Sequence, residues 1–189
     1  MTVKRVSVMF LVTMLAAIVA AGGGLVLVGK EAEATLATVT TCAGGTIELN
    51  SNEKYMLERH NETRKKHGLK ALCVHPTLTR AARAHSQDML NKDYASHYSL
   101  NGDSVKSRLE RFGYTFDGYS YYAMGENIAW GCGSYGPERV FSFWKNSKVH
   151  RHNILNKKFR EVGIGVRTGT FKTCGQAMMY TVDFATRRR

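Results

Sequence analysis

The side chains in this sequence that could carry out chemistry are above all its seven histidines: His60, His67, His75, His85, His97, His150 and His152. The sequence contains neither the H-E-x-x-H helix of zinc proteases nor the G-x-S-x-G turn of serine hydrolases. A G-x-G-x-x-G pattern occurs at Gly131, Gly133 and Gly136, but Cys132 lies inside it. This context favours a tight loop held by a disulfide over a dinucleotide site. A reactive site would therefore combine residues that are distant in sequence.

Five short phrases contain most of the polar residues that a site of this kind could use. In chain order they are His60-Asn61-x-x-Arg64; Ala82-x-Ala84-His85-Ser86 leading to Ala95-Ser96-His97; Gly125-Glu126-Asn127-Ile128-Ala129; Trp144-x-x-Ser147-x-x-His150-Arg151-x-Asn153-Ile154-Leu155, followed by Phe159 and Val162-Gly163-Ile164-Gly165-Val166; and Tyr180-Thr181-x-Asp183-Phe184. Each phrase alone is weak evidence. Five of them in this order, with suitable gaps, form a specific signature.

In this order the phrases resemble the CAP superfamily, also called the SCP-like domain. Its members include cysteine-rich secretory proteins, insect venom antigens and plant pathogenesis-related proteins. The resemblance covers about Tyr55 to Phe184, and the phrase that begins at Ser147 is similar to that of bacterial members. It implies an α+β fold, a three-layer α-β-α sandwich with a small, mostly antiparallel central sheet and a central cleft.

The cleft of this family typically holds two histidines and two glutamates, and some members bind a divalent metal there. Carried over by motif, the histidines are His97 and His150 and the first glutamate is Glu126. The second glutamate position, three residues after Trp144, is occupied by Ser147. The resemblance therefore implies an incomplete set of four, in which His97, Glu126, His150 and Ser147 line the cleft.

Three interpretations of His97, Glu126 and His150 remain open at this point. Zinc or another divalent cation accepts two imidazoles, a carboxylate and a water molecule, so the three residues could form an open metal site. The carboxylate could instead orient the imidazoles for general acid–base catalysis, although no motif places a nucleophile beside them. In the third interpretation Glu126 only holds neighbouring loops together.

Three other histidines have simpler interpretations. His60 is expected to anchor the first helix in the core, and His85 falls on the apolar face of the second helix, where a packing role is expected. His152 lies two residues after His150, so on a helix it points in another direction. We expect it to be exposed.

The chain has four cysteines, and an even number in an exported protein favours two disulfides with three possible connectivities. We predict the pair Cys132–Cys174, which would tie the loop after Glu126 to the last hairpin. We also predict Cys42–Cys73, which would fasten the preceding linker to the loop between the first two helices.

Helical periodicity and capping residues predict the elements that must position these side chains. Four helices are expected, over Asn52–His67 with Ser51 as cap, from Pro76 to about Lys92, over Asp103–Phe112 with Asp103 as cap, and from Pro137 to about Lys148. On the second helix Leu78, Ala81, Ala82, His85 and Met89 share one face. Strands are predicted at Asn127–Trp130, Val162–Arg167 and Ala177–Ala185.

The beginning of the chain predicts export. Lys4 and Arg5 precede an uncharged run from Val6 to Gly29, the layout of a signal peptide or signal anchor. The predicted organisation is a leader at 1–34, a linker at 35–50, a CAP/SCP-like domain at 51–186 and a basic tail at 187–189. The protein is thus expected to be secreted or extracytoplasmic, and anchored in the membrane if its leader is not cleaved.

The net charge of +12 is concentrated toward the end of the chain. From Gly136 to Arg189 there are twelve Lys and Arg residues against three acidic ones. Such a field attracts an anionic envelope component, whether lipid, glycan or wall polymer, while the absence of a reader motif and the predicted export argue against nucleic acid. The function expected first is that of a monomeric binding module rather than an enzyme. The alternatives are a divalent-metal-dependent hydrolase using the same cleft, and a disulfide-stabilised structural domain without a small ligand.

Overall fold

A computed structural model describes residues 36–133 and 135–189, and the predicted leader lies outside them. Within the described residues the chain forms six strands and five helices. In chain order these are β1 (Leu36–Thr40), β2 (Thr46–Asn50), α1 (Ser51–Lys66), β3 (Cys73–Val74), α2 (Pro76–Asn91), α3 (Val105–Arg111), β4 (Tyr121–Cys132), α4 (Pro137–Asn146), α5 (Lys148–Ile154), β5 (Glu161–Phe171) and β6 (Cys174–Arg188). No helix among these elements is long and apolar enough to cross a bilayer.

The central sheet has four strands in the order β3-β5-β6-β4. β4 and β5 both pair antiparallel with β6, and only the two-residue strand β3 is parallel to its neighbour β5. The prediction of a small, mostly antiparallel sheet is confirmed. β4 is an edge strand, and its whole length from Tyr121 to Cys132 is paired with β6.

Helices cover both faces of this sheet, which confirms the three-layer architecture. Alternate residues of β6 divide between the faces because successive side chains of a strand point in opposite directions. Tyr180, Val182 and Phe184 pack in the core shared with α1, α4 and α5. Ala185 packs with α2 and α3, and Met179 packs with the end of α2.

The Val-Gly-Ile-Gly-Val phrase allows α2 to lie directly on β5. A Cβ atom at Gly163 would lie 2.1 Å from the backbone carbon of Leu78, and one at Gly165 would lie 2.3 Å from that of Ala82. Backbone atoms of a helix cannot yield as a flexible side chain can. The two glycines therefore set the distance between α2 and the sheet.

This contact predicts the cost of adding a single methyl group. Gly163→Ala should lower the free energy of unfolding by about 1–3 kcal/mol, because α2 must shift to relieve the overlap. Gly175→Ala is the matched control, since a Cβ there meets no atom within 4 Å. Urea denaturation of both variants measures the difference, and equal stability of the two would show that α2 does not rest on Gly163.

The segment predicted as a linker is an ordered hairpin over residues 36–50, which corrects that expectation. β1 and β2 pair antiparallel from Leu36 opposite Asn50 to Thr40 opposite Thr46. Leu49 is fully buried, and Val39 and Ile47 pack against the main core. β-Branched residues on both sides of Gly44 and Gly45 are a hairpin signal that outweighs the Ala- and Thr-rich composition.

Helix boundaries differ from the predicted ones at their caps. Asn50 rather than Ser51 caps α1, forming a reciprocal capping box with Glu53. Ser104 rather than Asp103 caps α3. The predicted fourth helix is interrupted at Ser147, whose backbone is extended, so α4 and α5 are separate helices.

At the other end of the chain, the predicted basic tail is mostly part of the sheet. β6 continues through Arg188, and Arg187 and Arg188 pair with Tyr122 and Tyr121 of β4.

Both predicted disulfides are confirmed. Cys42 is bonded to Cys73, and Cys132 is bonded to Cys174. The first joins the hairpin end to β3, and the second joins the ends of the neighbouring strands β4 and β6. Such bonds form and persist in oxidising compartments outside the cytoplasm.

Candidate functional site

His97 and Glu126, predicted as part of one site, are in direct contact. His97 lies in the loop between α2 and α3, and its Nδ1 donates a hydrogen bond of 2.6 Å to Oε1 of Glu126 on β4. The glutamate side chain is 1% exposed, whereas the histidine side chain is 49% exposed. A buried carboxylate thus fixes the ring of a surface imidazole.

Arg108 of α3 is the third member of this contact, and no sequence motif points to its role. Its Nη2 donates to Oε2 of Glu126, and its Nη1 donates to the backbone oxygen of His97 at 2.6 Å. The arginine side chain is 3% exposed. It pairs with the acid and also holds the loop that carries the histidine.

These contacts decide the charge of Glu126. Burial raises the pKa of its carboxyl group, but the hydrogen bond from His97 and the charges of Arg108 and His85 outweigh burial and bring the pKa below its usual value. The group is therefore an ionised partner of the buried Arg108 cation. It is poorly suited to act as a general acid near neutral pH.

A second acid lies beside Glu126. Asp183 of β6 is directly opposite Glu126 in the sheet register and is 1% exposed. Burial, followed by the charge of Glu126, raises the pKa of Asp183 well above its usual value. Its Oδ1 has no hydrogen-bond partner in the described part of the chain. The pair thus combines a carboxyl group whose pKa is lowered with one whose pKa is raised.

His150 lies on α5 and contacts Ser147, the residue that replaces the family's second glutamate. Nδ1 of His150 is 2.8 Å from Oγ of Ser147. The imidazole stacks on Trp144, with ring centroids 6.2 Å apart. Burial and then the charge of His97 lower the pKa of His150. The two predicted histidines are therefore close enough for the charge of one to affect the other.

The side chain of Glu126 and the helix α5, which carries His150, lie on opposite faces of the edge strand β4. Successive strand residues point in opposite directions, so Glu126 faces α3 while Asn127 faces α5. Nδ2 of Asn127 donates to the backbone oxygen of His150 at 3.1 Å, and Nδ2 of Asn153 donates to the backbone oxygen of Glu126 at 3.0 Å. The Gly-Glu-Asn phrase thus joins α5 to the sheet through its backbone and Asn127.

The predicted metal ligands do not fit a divalent cation. Within residues 36–133 and 135–189, no three His, Cys, Asp or Glu side chains are grouped closely enough to hold a metal ion. Both oxygens of Glu126 already accept hydrogen bonds, and the charge of Arg108 beside them would repel a cation. At the second glutamate position, Ser147 offers a neutral hydroxyl instead of a carboxylate.

His60, His85 and His152 follow the sequence-based expectations. His60 is fully buried, and burial lowers its pKa to about 4. Its Nδ1 donates to the backbone oxygen of Met56, and its ring packs edge-on against Phe141. His85 is buried on α2, as expected for a packing histidine, and His152 is exposed.

Two comparisons with known sequences place this arrangement among other proteins. The profile of the cysteine-rich secretory protein family, CAP, matches residues 57–184. An uncharacterized protein of Bacillus subtilis, YkwD, is 39% identical over 145 residues, covering 76% of this chain and 54% of YkwD. An uncharacterized membrane protein of the same organism, YlbC, is 37% identical over 117 residues, covering 61% of this chain and 32% of YlbC.

A solved structure shows the same fold. It is an extracellular SCP-domain protein from Bacillus anthracis, with a TM-score of 0.58 and 28% identity, covering 73% of this chain and 40% of that protein. The chain thus spans about half or less of the length of these relatives. Because the family profile matches most of the chain and the fold agrees, the protein belongs to the cysteine-rich secretory protein family, the CAP superfamily.

Proposed function

We propose that the protein is an extracytoplasmic binding module of the cell envelope, which binds its partner through the histidine site without a metal. The histidine site is defined here as His97, Glu126, Arg108, His150 and Ser147. The proposed location is supported by the two disulfides, by the extracellular SCP-domain relative and by the membrane relative YlbC.

The observation that carries the proposal is the half-exposed imidazole of His97, fixed by a buried ion pair. When Nδ1 donates to Glu126, the neutral ring keeps its lone pair on Nε2. The proposal assigns that nitrogen, together with His150, to ligand contact. A rigid polar group of this kind gives binding specificity at low entropic cost.

Exposed apolar side chains near the two histidines support binding rather than catalysis. Tyr98 and Leu100, in the loop of His97, are each 64% exposed, and Phe143, which packs against His150, is 55% exposed. Aromatic residues with one wet face stack well on sugars and on other apolar surfaces. The basic segment from Gly136 to Arg189 supports an anionic partner, whether lipid, glycan or wall polymer.

Catalysis has less support from the same residues. Ser147 and His150 form a hydroxyl–imidazole pair, but an activated serine also needs a third group that orients the base. Within the described residues the His150 ring is hydrogen-bonded to Ser147 and packs against the aromatic rings of Trp144 and Phe143, none of which is an acid that could orient the base. Metal-dependent hydrolysis would need the ligand set that the described residues do not form.

Sedimentation with insoluble cell-wall sacculi tests the proposal. We expect the double variant His97→Ala/His150→Ala to bind at least about tenfold more weakly than wild type, a difference of about 1.4 kcal/mol. The control is His67→Ala, which removes an exposed imidazole elsewhere and should bind like wild type. Equal binding by the double variant and this control would contradict the role of the histidine site.

A zinc titration by calorimetry distinguishes the metal-dependent alternative. The proposal expects the wild type and the His97→Ala/His150→Ala variant to take up zinc equally weakly. Stoichiometric uptake by the wild type that is lost in this variant would favour the metal-dependent hydrolase instead.

A further inference from the structure

A second candidate binding surface is a groove along α5 and the loop that follows it. The groove has a volume of about 980 Å³, at the upper end of the range for ligand sites. Its lining includes Lys148, Arg151, Lys157 and Lys158. Neither His97 nor Glu126 nor His150 lines it, so it is distinct from the histidine site.

The lining of the groove is basic and includes no acidic residue among the described residues. Between Glu138 and Glu161 the sequence has seven Lys and Arg residues and no acid. Lys148, Arg151, Lys157 and Lys158 are all exposed, and none of them takes part in an ion pair within the described part of the chain. Elsewhere in the described part of the chain, Lys54, Lys92 and Lys106 are each paired with an acidic side chain. The groove is therefore a local concentration of free cations.

The backbone that carries these cations is held rigidly. Arg64 of α1 is fully buried and donates to the backbone oxygens of Ile154, Asn156 and Phe159. Oδ1 of Asn156 accepts a hydrogen bond of 3.0 Å from the backbone nitrogen of Lys158. A loop ordered before binding loses little entropy when a ligand arrives.

We propose that this groove binds an extended anionic polymer whose repeating units carry phosphate. This inference rests on the proposed envelope-binding function and assigns the phosphate contacts to the groove. Several cations along one concave surface suit a chain with a charge on each repeat. A flat bilayer surface cannot follow a groove, so the concave shape favours a polymer over a membrane. Val149 and Leu155 between the cations offer apolar surface for the uncharged parts of each repeat.

Binding of long-chain inorganic polyphosphate to the full chain, measured by calorimetry over a series of salt concentrations, tests the proposal. The groove variant is Arg151→Gln/Lys157→Gln/Lys158→Gln. We expect its affinity to fall at least about tenfold and the salt dependence to weaken by about three units of slope, one for each lost phosphate contact. These side chains are exposed, so the fold should be retained.

The matched control removes the same charge from other places. Arg80→Gln/Arg139→Gln/Lys172→Gln changes three exposed residues that do not line the groove, and its affinity should stay within about threefold of wild type. If both variants lost the same affinity for polyphosphate, the net charge of the protein would explain binding, and the proposal would be overturned.

Two further binding measurements distinguish the groove from the histidine site and from a membrane contact. His97→Ala/His150→Ala should bind polyphosphate like wild type. A loss of affinity equal to that of the groove variant would show that polyphosphate binds at the histidine site instead.

Vesicles of phosphatidylglycerol should bind the groove and control variants equally. If the groove variant lost only vesicle binding, the groove would be a membrane contact and the proposal would be wrong. If the groove bound polyphosphate but the protein did not bind sacculi, the proposed envelope-binding function would be wrong, whereas the groove proposal would stand.

Discussion

Replacing Arg108 by methionine is expected to lower the free energy of unfolding by about 3–5 kcal/mol, because Glu126 would remain buried without its cation. Arg108 and Glu126 are both almost completely buried, and the arginine also holds the His97 loop through its backbone oxygen. Arg111→Met is the control. Arg111 pairs with Asp103 at 2.6 Å, but its side chain is 53% exposed, so that change should cost at most about 1 kcal/mol.

The pH dependence of the Arg108→Met variant provides a second check. Without its cation, the buried Glu126 should have a pKa raised above its value in the unfolded chain. A raised carboxyl pKa destabilises the folded state as pH rises, so the difference from wild type should be largest near neutral pH and shrink as the solution is acidified. Glu126→Gln in the same background should recover part of the loss. A pH-independent loss below about 1 kcal/mol would show that the ion pair contributes little.

Replacing Arg64 by methionine is expected to cost about 3–6 kcal/mol, because several backbone oxygens would lose their donor at once. The guanidinium lies fully buried and donates to the oxygens of Lys70, Ile154, Asn156 and Phe159 at 2.9–3.1 Å. The fork of five donors cannot be reproduced by an ammonium group, so Arg64→Lys should recover little of the loss.

The matched control for Arg64 lies on the same helix. Arg59→Met removes an arginine that pairs with Glu62 and is 39% exposed, so its effect should stay below about 1 kcal/mol. Urea denaturation of the three variants measures these differences. A loss below about 1 kcal/mol for Arg64→Met would mean that water replaces the guanidinium, and that the groove loop does not depend on it.

Much of the fold was predictable from local sequence, because α2 has a periodic apolar face and because α2 and α4 each begin at a proline. The face of α2 from Leu78 to Met89 is buried as expected. The break between α4 and α5 was missed because neither glycine nor proline marks it, and Ser147 is compatible with a helix. β3 has two residues, too few for an alternating pattern.

The site was only partly predictable, for a physical reason. His97 and Glu126 were found through motifs, but Arg108 and Asp183 become their partners through strand register and helix packing. Those relationships arise between elements and leave no local pattern. Arg108 comes one residue before the inward-facing Leu109, and from sequence alone it is expected at the surface. Its burial is explained only by the carboxylate of Glu126, which the fold places opposite it. For the same reason, motifs that assign Glu126 and His150 to one site do not reveal that the Glu126 side chain and the helix carrying His150 lie on opposite faces of β4.

The proposed function depends on one claim: the carboxylate of Glu126 accepts hydrogen bonds from Arg108 and His97, and it does not coordinate a metal ion. Long-range proton–nitrogen NMR of the imidazole rings at about pH 8, without and with equimolar zinc, tests this claim most directly. We expect neutral His97 to carry its proton on Nδ1, with the signals of His97 and His150 unchanged by zinc. A proton on Nε2 of His97, or zinc-dependent shifts of both histidines, would contradict the claim.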